Sequence, residues 1–314
     1  MNSLPLLCIT GPTAIGKTGL AIKLAEQYPI EIISVDSALV YRQLSIGANK
    51  PSEAELAACR HHLVDIADVQ DGYNVQSFIN DVEHAIADIQ TRGKIPVLVG
   101  GTMMYFYQLI NGLANIPHVS PETITIIEKR KNQTGLSELY KELLDVDPLW
   151  ASKVNVNDPQ RIIRGLAVYW TTGKPLSSYF QNEKDITPRS IKMLALVAEN
   201  KQDHRNVIMS RLSAMIDQGF IEEVERLWSL YPNLNLDFWR FVGYRQLLSI
   251  FTEQAKPSLA IEQAYYATVH LAKRQKTWLN KFEAFLCPVS FENNKAVSEV
   301  FEQHINEYFL KSRF

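Results

Sequence analysis

Gly11-Pro12-Thr13-Ala14-Ile15-Gly16-Lys17-Thr18 decides how the rest of the chain is read. An apolar run from Leu4 to Thr10 precedes it, and a helical pattern from Gly19 to Tyr28 follows. Strand, glycine loop and helix in that order are what a phosphate-binding loop requires. Gly11 and Gly16 permit backbone angles and close approach that a side chain would block, so the N–H groups from Thr13 to Thr18 can point into one concavity. A helix beginning near Gly16 adds the positive end of its dipole. Lys17 brings a cation to phosphate oxygens, and the Thr18 hydroxyl can hold Mg²⁺. The loop predicts a diphosphate or triphosphate. It does not say what is done with it.

The 314 residues suffice for one large domain or two modest ones, and 46% hydrophobic with 21% charged residues is the balance of a folded, water-exposed chain. A formal net charge of −2 excludes a globally basic nucleic-acid binder but leaves room for a local basic patch. Cys8, Cys59 and Cys287 are odd in number and far apart, which argues against a disulfide framework or a zinc module. No apolar run approaches a membrane span, and no basic region precedes the first strand. A reducing cytoplasm is the expected home, and nothing demands more than a monomer.

Glu31 to Val35 reads as a second strand, ending in Asp36-Ser37. In parallel α/β sheets the loops after strand carboxyl ends line the ligand crevice, so Asp36 is expected to face the phosphate loop. Position alone leaves two roles open, a turn cap or Mg²⁺ contact through water, and a general base. His61 to Ile66 reads as a short extended segment, where adjacent histidines point to opposite faces and are expected to be structural. Asn74 predicts the N-cap of an amphipathic helix closed by Arg92 and Gly93. Ile95 to Val99 is a third strand, unbroken in its apolar character and therefore covered on both faces. It ends in Gly100-Gly101-Thr102, where a nucleotide-hydrolysing machine would usually carry an acidic residue.

After Pro117 the pattern turns helical, and residues 118–187 are expected to form an all-helical insertion. Asp158-Pro159 starts a helix that Gly173 ends, with Ile162, Leu166, Tyr169 and Trp170 facing inward. Arg161 and Arg164 sit where a helix dipole disfavours cations, so an anionic partner is expected for them. Ile191 to Val197 returns to a strand. Arg211 to Trp228 reads as one helix, interrupted at Gly219, with Arg211 outside the apolar stripe and free to reach a phosphate. From Phe238 to Lys281 seven cations meet two anions, with Trp239, Phe241, Tyr244, Tyr265, Tyr266 and Trp278 interleaved. Cations for phosphates beside aromatic planes for unstacked bases suit single-stranded nucleic acid.

Taken together, GPTAIGKT, DSALVYRQLSIGANKP, HHLVDI, VLVGGT, NDPQRIIRGLAVYWTTGKP, RLSAMIDQGFIEEV, FVGYRQ and KRQKTWLN resemble, in order, the successive blocks of the bacterial-type tRNA dimethylallyltransferases. The resemblance implies an α/β fold: a P-loop NTPase-like parallel sheet core flanked by helices (residues 1–117 and 188–314), carrying the helical insertion (118–187). It implies Mg²⁺ dependence and transfer of a dimethylallyl group from dimethylallyl diphosphate to N6 of the adenosine 3′ of the anticodon. Asp36 would then be the base, Lys17 and Arg211 would hold the diphosphate with the loop Gly11 to Thr18, and Thr102 would contact the bridging oxygen. The anticodon stem-loop would be gripped by Asp36, Ser37, Ala38 and Leu39, by Gln160, Arg161, Ile162, Ile163 and Arg164, by Arg240, Phe241, Val242, Gly243, Tyr244 and Arg245, and by Lys273, Arg274, Gln275, Lys276, Thr277, Trp278, Leu279 and Asn280.

Three positions depart from the family's usual pattern. Leu39 stands where a glutamine reads the target adenine, Met103-Met104 replaces Gly-Leu beside the prenyl channel, and Asn280 replaces an arginine. Other readings of the same chain are an enzyme prenylating free adenine nucleotides, a small-molecule kinase, and a noncatalytic P-loop RNA-binding protein. The basic C-terminal stretch disfavours the first of these, because a free nucleotide needs no such surface. The chain ends at Phe314 without the Cys/His module of many eukaryotic relatives, which fits a bacterial form.

Overall fold

The computed structural model describes residues 5–185, 189–232, 234 and 238–289; Leu4, residues 186–188, the Cys287 side chain and residues 290–314 lie outside the described set. The first unit comprises Met1–Ile110 and Arg189–Phe314, the second Asn111–Pro188.

The first unit is built on β1 (Leu6–Thr10), α1 (Lys17–Ala25), β2 (Ile30–Val35), α2 (Glu53–Ala58), β3 (His61–His62), α3 (Val75–Thr91), β4 (Ile95–Gly100) and α4 (Met103–Asn111). Its six strands pair in parallel in the order β3-β2-β4-β1, continuing into two strands from the chain's second half. β1 shows why the sheet needs helices on both faces. Leu7 and Ile9 pack with Ala21 and Leu24 of α1, whereas Leu6 and Cys8 pack with Phe78 and Val82 of α3 and Phe106 of α4. Alternate side chains of a strand point to opposite faces, so a strand buried on both sides reads as an unbroken apolar run. Asn74 caps α3 by accepting from the N–H groups of Gln76 and Ser77, and Arg92 closes it. Of the extended segment expected over 61–66, only His61–His62 is strand.

His62 has a structural partner at the far end of β2. Glu31, 1% exposed, accepts from His62 Nε2 at 2.7 Å, from Arg92 and from Lys94 at 3.2 Å. Burial pushes its carboxyl up, but hydrogen bonds from Arg92, His62 and Lys94 outweigh that and hold it at about 2. A carboxylate held below its unfolded value of 4.5 stabilises the fold above that pH and loses the contribution as pH falls toward 2. Glu31→Gln is therefore expected to flatten the acid limb of stability between those values, read as the urea midpoint against pH.

The second unit packs α5 (Pro121–Thr134), α6 (Leu136–Val146), α7 (Pro148–Ala151) and α8 (Pro159–Thr172) around its own core of Ile127, Leu139, Leu143, Ile162 and Leu166. Asp158 caps α8 by accepting from the Arg161 N–H at 3.1 Å, and Gly173 ends it in the left-handed region. One expectation needs correction. Trp170 faces water and donates to Glu142, while Ile163, Ala167 and Val168 fill the buried face. Arg161 lies 3.5 Å from Asp158, the cap of its own helix.

The chain returns to the sheet as β5 (Ile191–Ala198), paired with β1, and continues through α9 (Lys201–Asp217), α10 (Phe220–Leu230), α11 (Tyr244–Thr252), α12 (Pro257–Trp278) and β6 (Ala284–Val289), which pairs with β5. The single helix expected over Arg211–Trp228 is two. Gly219 sits at φ 98°, a left-handed conformation that ends α9 and starts α10, and α9 begins as early as Lys201. Leu212, Phe220, Val224 and Leu227 are buried as the stripe requires.

Candidate active site

The phosphate loop joins β1 to α1. Gly11 has φ 144°, and a Cβ there would meet the Leu196 carbonyl at 2.5 Å, so only glycine fits beside β5. Gly16, at φ 93°, is the residue before the first helical N–H groups, at Lys17 and Thr18, which an α-helix leaves without intrahelical acceptors. Ile15 turns away and is 2% exposed in the core under β1. Lys17 donates to the Pro12 carbonyl at 2.8 Å. Burial pushes its ammonium down to about 8, opposed by Asp36 and reinforced by Arg211. Among the described residues the Thr18 hydroxyl makes no hydrogen bond.

Thr13, at the loop's crest, is held from three sides. Its N–H donates to Gln275 Oε1 at 2.8 Å, its carbonyl lies 2.9 Å from His204 Nε2, and its hydroxyl accepts from Arg211 at 3.4 Å. The Thr13 amide is thus engaged within the protein, which corrects the expected run of phosphate donors to Ala14 through Thr18. Burial lowers the Arg211 guanidinium, with Asp36 drawing it back up.

Asp36 stands at the end of β2. Its Oδ1 accepts from the Ala38 N–H at 2.8 Å and from the Leu39 N–H at 3.4 Å, an arrangement that fixes the carboxylate plane. Thr102, at the end of β4, accepts from the Ser37 N–H at 3.2 Å, so its own hydroxyl proton remains to be donated. Both turns open on one cavity of about 430 Å³, lined also by Thr13, Ala14, Ser37, Ala38 and Arg211. Arg211, Arg240 and Arg274 line it against a single carboxylate, Asp36, which favours an anionic ligand. An apolar wall of Met103, Met104, Leu212, Met215, Leu271 and Trp278 completes it. Met103 is buried against the Thr10 hydroxyl, whereas Met104 is exposed. Leu39 is not part of the lining.

The IPP transferase family matches residues 39–282 of this chain. The chain belongs to that family. It is 44% identical to a tRNA dimethylallyltransferase of Neisseria meningitidis over 87% of this chain and 88% of that protein. It is 42% identical to one of Legionella pneumophila over 91% of both. The fold superposes on the full-length tRNA isopentenylpyrophosphate transferase of Bacillus halodurans with TM-score 0.70 and 27% identity, covering 99% of each chain. A eukaryotic dimethylallyltransferase acting on tRNA superposes at TM-score 0.81 and 26% identity, over 99% of this chain and 80% of that one.

Within this family member the stretches expected to meet RNA divide by helical phase. On α12 Lys273, Arg274, Lys276 and Thr277 are exposed, as is Asn280 just beyond its end, whereas Leu279 is buried with Met103 and Ala195. Gln275 is half-buried and engaged with the phosphate loop rather than displayed. Arg240 and Arg245 are exposed, while Phe241, Val242, Gly243 and Tyr244 line the cavity. Tyr244 is 1% exposed and donates to Glu223, and Trp239 is equally a core residue, so neither offers a stacking face. In the second unit Gln160, Arg161 and Arg164 are exposed, but Ile162 and Ile163 belong to its core.

Three polar residues at the site were not singled out from sequence in these roles. Glu223, 1% exposed, gathers the N–H groups of Ser45, Ile46 and Gly47 and the Tyr244 hydroxyl, and so fixes the segment that presents Gly47 and Ala48 to the cavity. His204 and Gln275 are the others. Each has a legible signal: Glu223 stands three residues after Phe220, His204 four before Ile208, and Gln275 four before Leu279, all within buried stripes. A polar group in such a stripe must find a partner inside the protein.

Proposed function

We propose that this chain transfers a dimethylallyl group from dimethylallyl diphosphate to the N6 amine of the adenosine 3′ of the anticodon in tRNA, releasing diphosphate. The observation that carries the reading is the meeting of the Asp36 carboxylate, Thr13 and Ala14 of the phosphate loop, Arg211 and an apolar wall in one cavity. A phosphate loop for a leaving group, a base for an acceptor and an apolar wall for a short prenyl chain are the parts such a transfer needs.

An exocyclic adenine amine is a weak nucleophile because its lone pair is delocalised into the ring. As its bond to the allylic carbon forms, Asp36 takes the amine proton, and the carbon–oxygen bond breaks with its electron pair leaving on diphosphate. Lys17 and Arg211 meet the charge that develops on the leaving oxygens, and the Thr102 hydroxyl donates to the bridging oxygen. The Thr18 hydroxyl, in the first turn of α1, would hold Mg²⁺, which commonly takes few protein ligands alongside water and phosphate. Bound there, Mg²⁺ would spread the negative charge of the diphosphate. The target base has to leave its stack to enter the cavity, and the exposed cations of α12 supply contacts for the flanking phosphates.

Mass spectrometry of an unmodified anticodon stem-loop incubated with the protein, Mg²⁺ and dimethylallyl diphosphate tests the whole reading. A gain of one dimethylallyl group on that adenosine supports it. A gain on free AMP alone moves the chain to nucleotide prenylation, and no gain on either overturns the transfer. Lys273→Ala combined with Arg274→Ala is expected to weaken stem-loop binding and lower the slope of log affinity against log salt by about one to two, from the loss of two phosphate contacts. An unchanged slope would place this face away from the RNA.

A further inference from the structure

We infer that Gln275 and His204 are positioning residues that clamp Thr13, one at its N–H and the other at its carbonyl, and that Gln275 fixes the phosphate loop relative to the Thr102 turn. The proposal deepens the reading above and rests on the diphosphate site it assigns.

Gln275 reaches out of α12 with both ends of its carboxamide occupied. Oε1 accepts the Thr13 N–H at 2.8 Å, and Nε2 donates to the Gly101 carbonyl at 2.9 Å. One side chain thus ties the loop after β1 to the turn after β4. The chemistry calls for an acceptor and a donor on one planar head, which a carboxamide supplies and a carboxylate does not. Gly101 carries a matching mark of this contact. A Cβ there would lie 2.5 Å from Gln275 Nε2, so the turn leaves room for the amide to approach.

His204 completes the clamp from α9. Because a carbonyl only accepts, His204 Nε2 carries the proton in its 2.9 Å contact with Thr13. Burial lowers the His204 imidazole, opposed by the Thr13 hydrogen bond, with Lys17 and Lys276 adding to the lowering, so the neutral ring makes this contact at neutral pH. The next residue shows what the clamp holds in place. Ala14 sits at φ 61°, a left-handed conformation that a residue with a Cβ keeps only when its surroundings fix it. With the peptide before Thr13 pinned at its N–H and the peptide after it pinned at its carbonyl, the strained turn is kept, and the amides beyond it are aimed before any ligand arrives. Gln275 therefore acts on the diphosphate through the loop and not on RNA, although Lys273, Arg274 and Lys276 surround it in the sequence.

The test measures binding of inorganic diphosphate with Mg²⁺ by calorimetry, and of the anticodon stem-loop separately, on the full chain and its variants. Gln275→Ala is expected to weaken diphosphate binding about tenfold or more and raise KM for dimethylallyl diphosphate, with stem-loop affinity within about twofold; tenfold corresponds to about 1.4 kcal/mol. His204→Ala should weaken diphosphate binding likewise, and His204→Gln, whose amide can donate to the same carbonyl, should restore most of it. The histidine pair keeps the proposal testable if Gln275→Ala fails to fold. Unchanged diphosphate affinity in Gln275→Ala or in His204→Ala overturns the clamp, as does a loss confined to stem-loop binding. A wild-type chain that takes up no diphosphate overturns the proposed function instead.

Discussion

Asp36→Asn is expected to lower kcat by about 10² to 10⁴ while leaving stem-loop binding and KM for the prenyl donor within a few-fold, from the usual weight of general-base catalysis. Asparagine is the informative replacement. Asp36 Oδ1 accepts from the Ala38 and Leu39 N–H groups, and an amide oxygen can take both contacts. The turn after β2 and the cavity lining therefore survive. What disappears is the second oxygen as a proton acceptor and the negative charge near Lys17 and Arg211. Losing that charge should, if anything, tighten the grip on diphosphate, so kcat and KM move apart. A kcat equal to wild type would remove Asp36 from the chemistry, and a parallel loss of donor affinity would make it a structural residue of the loop.

Glu223→Ala is expected to destabilise the chain by about 4 kcal/mol or more, because it leaves three part-buried backbone N–H groups and a buried hydroxyl without their acceptor. Against the total of about 5–15 kcal/mol typical of a domain, that places the variant near unfolding. Tyr244→Phe removes only one of these contacts, the 2.6 Å bond to Glu223, and should cost about 1.5–3 kcal/mol, as for a hydrogen bond to a charged group. Urea midpoints at constant slope measure both. If Glu223→Ala is no worse than Tyr244→Phe, water satisfies the amides of Ser45, Ile46 and Gly47 and the carboxylate is not what holds that segment.

The parts of the fold legible in sequence are those written by local rules. The glycine loop, the Asn74 and Asp158 caps, the Gly173 stop and the unbroken apolar strands each depend on a few adjacent residues, and each is found where expected. Asp36 and Thr102 come together because strand ends of a parallel sheet open on one side, a rule of topology that needs no side-chain detail, whereas Arg211 reaches the same cavity from within α9. Two kinds of reading failed for a physical reason. A contiguous block of sequence does not share one helix face, so Ile162, Ile163 and Leu279 are buried while their neighbours Arg161, Arg164 and Asn280 are exposed. The apolar stripe predicts one helix interrupted at Gly219, but at φ 98° this residue separates two helices. The clamp on Thr13 and the Glu223 hub were beyond local rules altogether. Both join residues well over a hundred positions apart, and only packing decides which polar side chain of a buried stripe finds which backbone group.

The order in which the strands are synthesised differs from the order in which they pair. Leu7 of the central strand pairs with Val97 on one side and with Lys192 on the other, and the second unit is translated between those partners. At about 5–20 residues per second, the strand beside Ile9 emerges from a ribosome on the order of tens of seconds after Ile9 itself. For that interval one edge of an apolar strand has no neighbour, and an open edge invites pairing with other chains. The intervening residues bring a hydrophobic core of their own, so they can fold in that interval without waiting for the sheet to close. Lengthening this insertion should therefore tax the yield of folded protein during synthesis more than its stability once made.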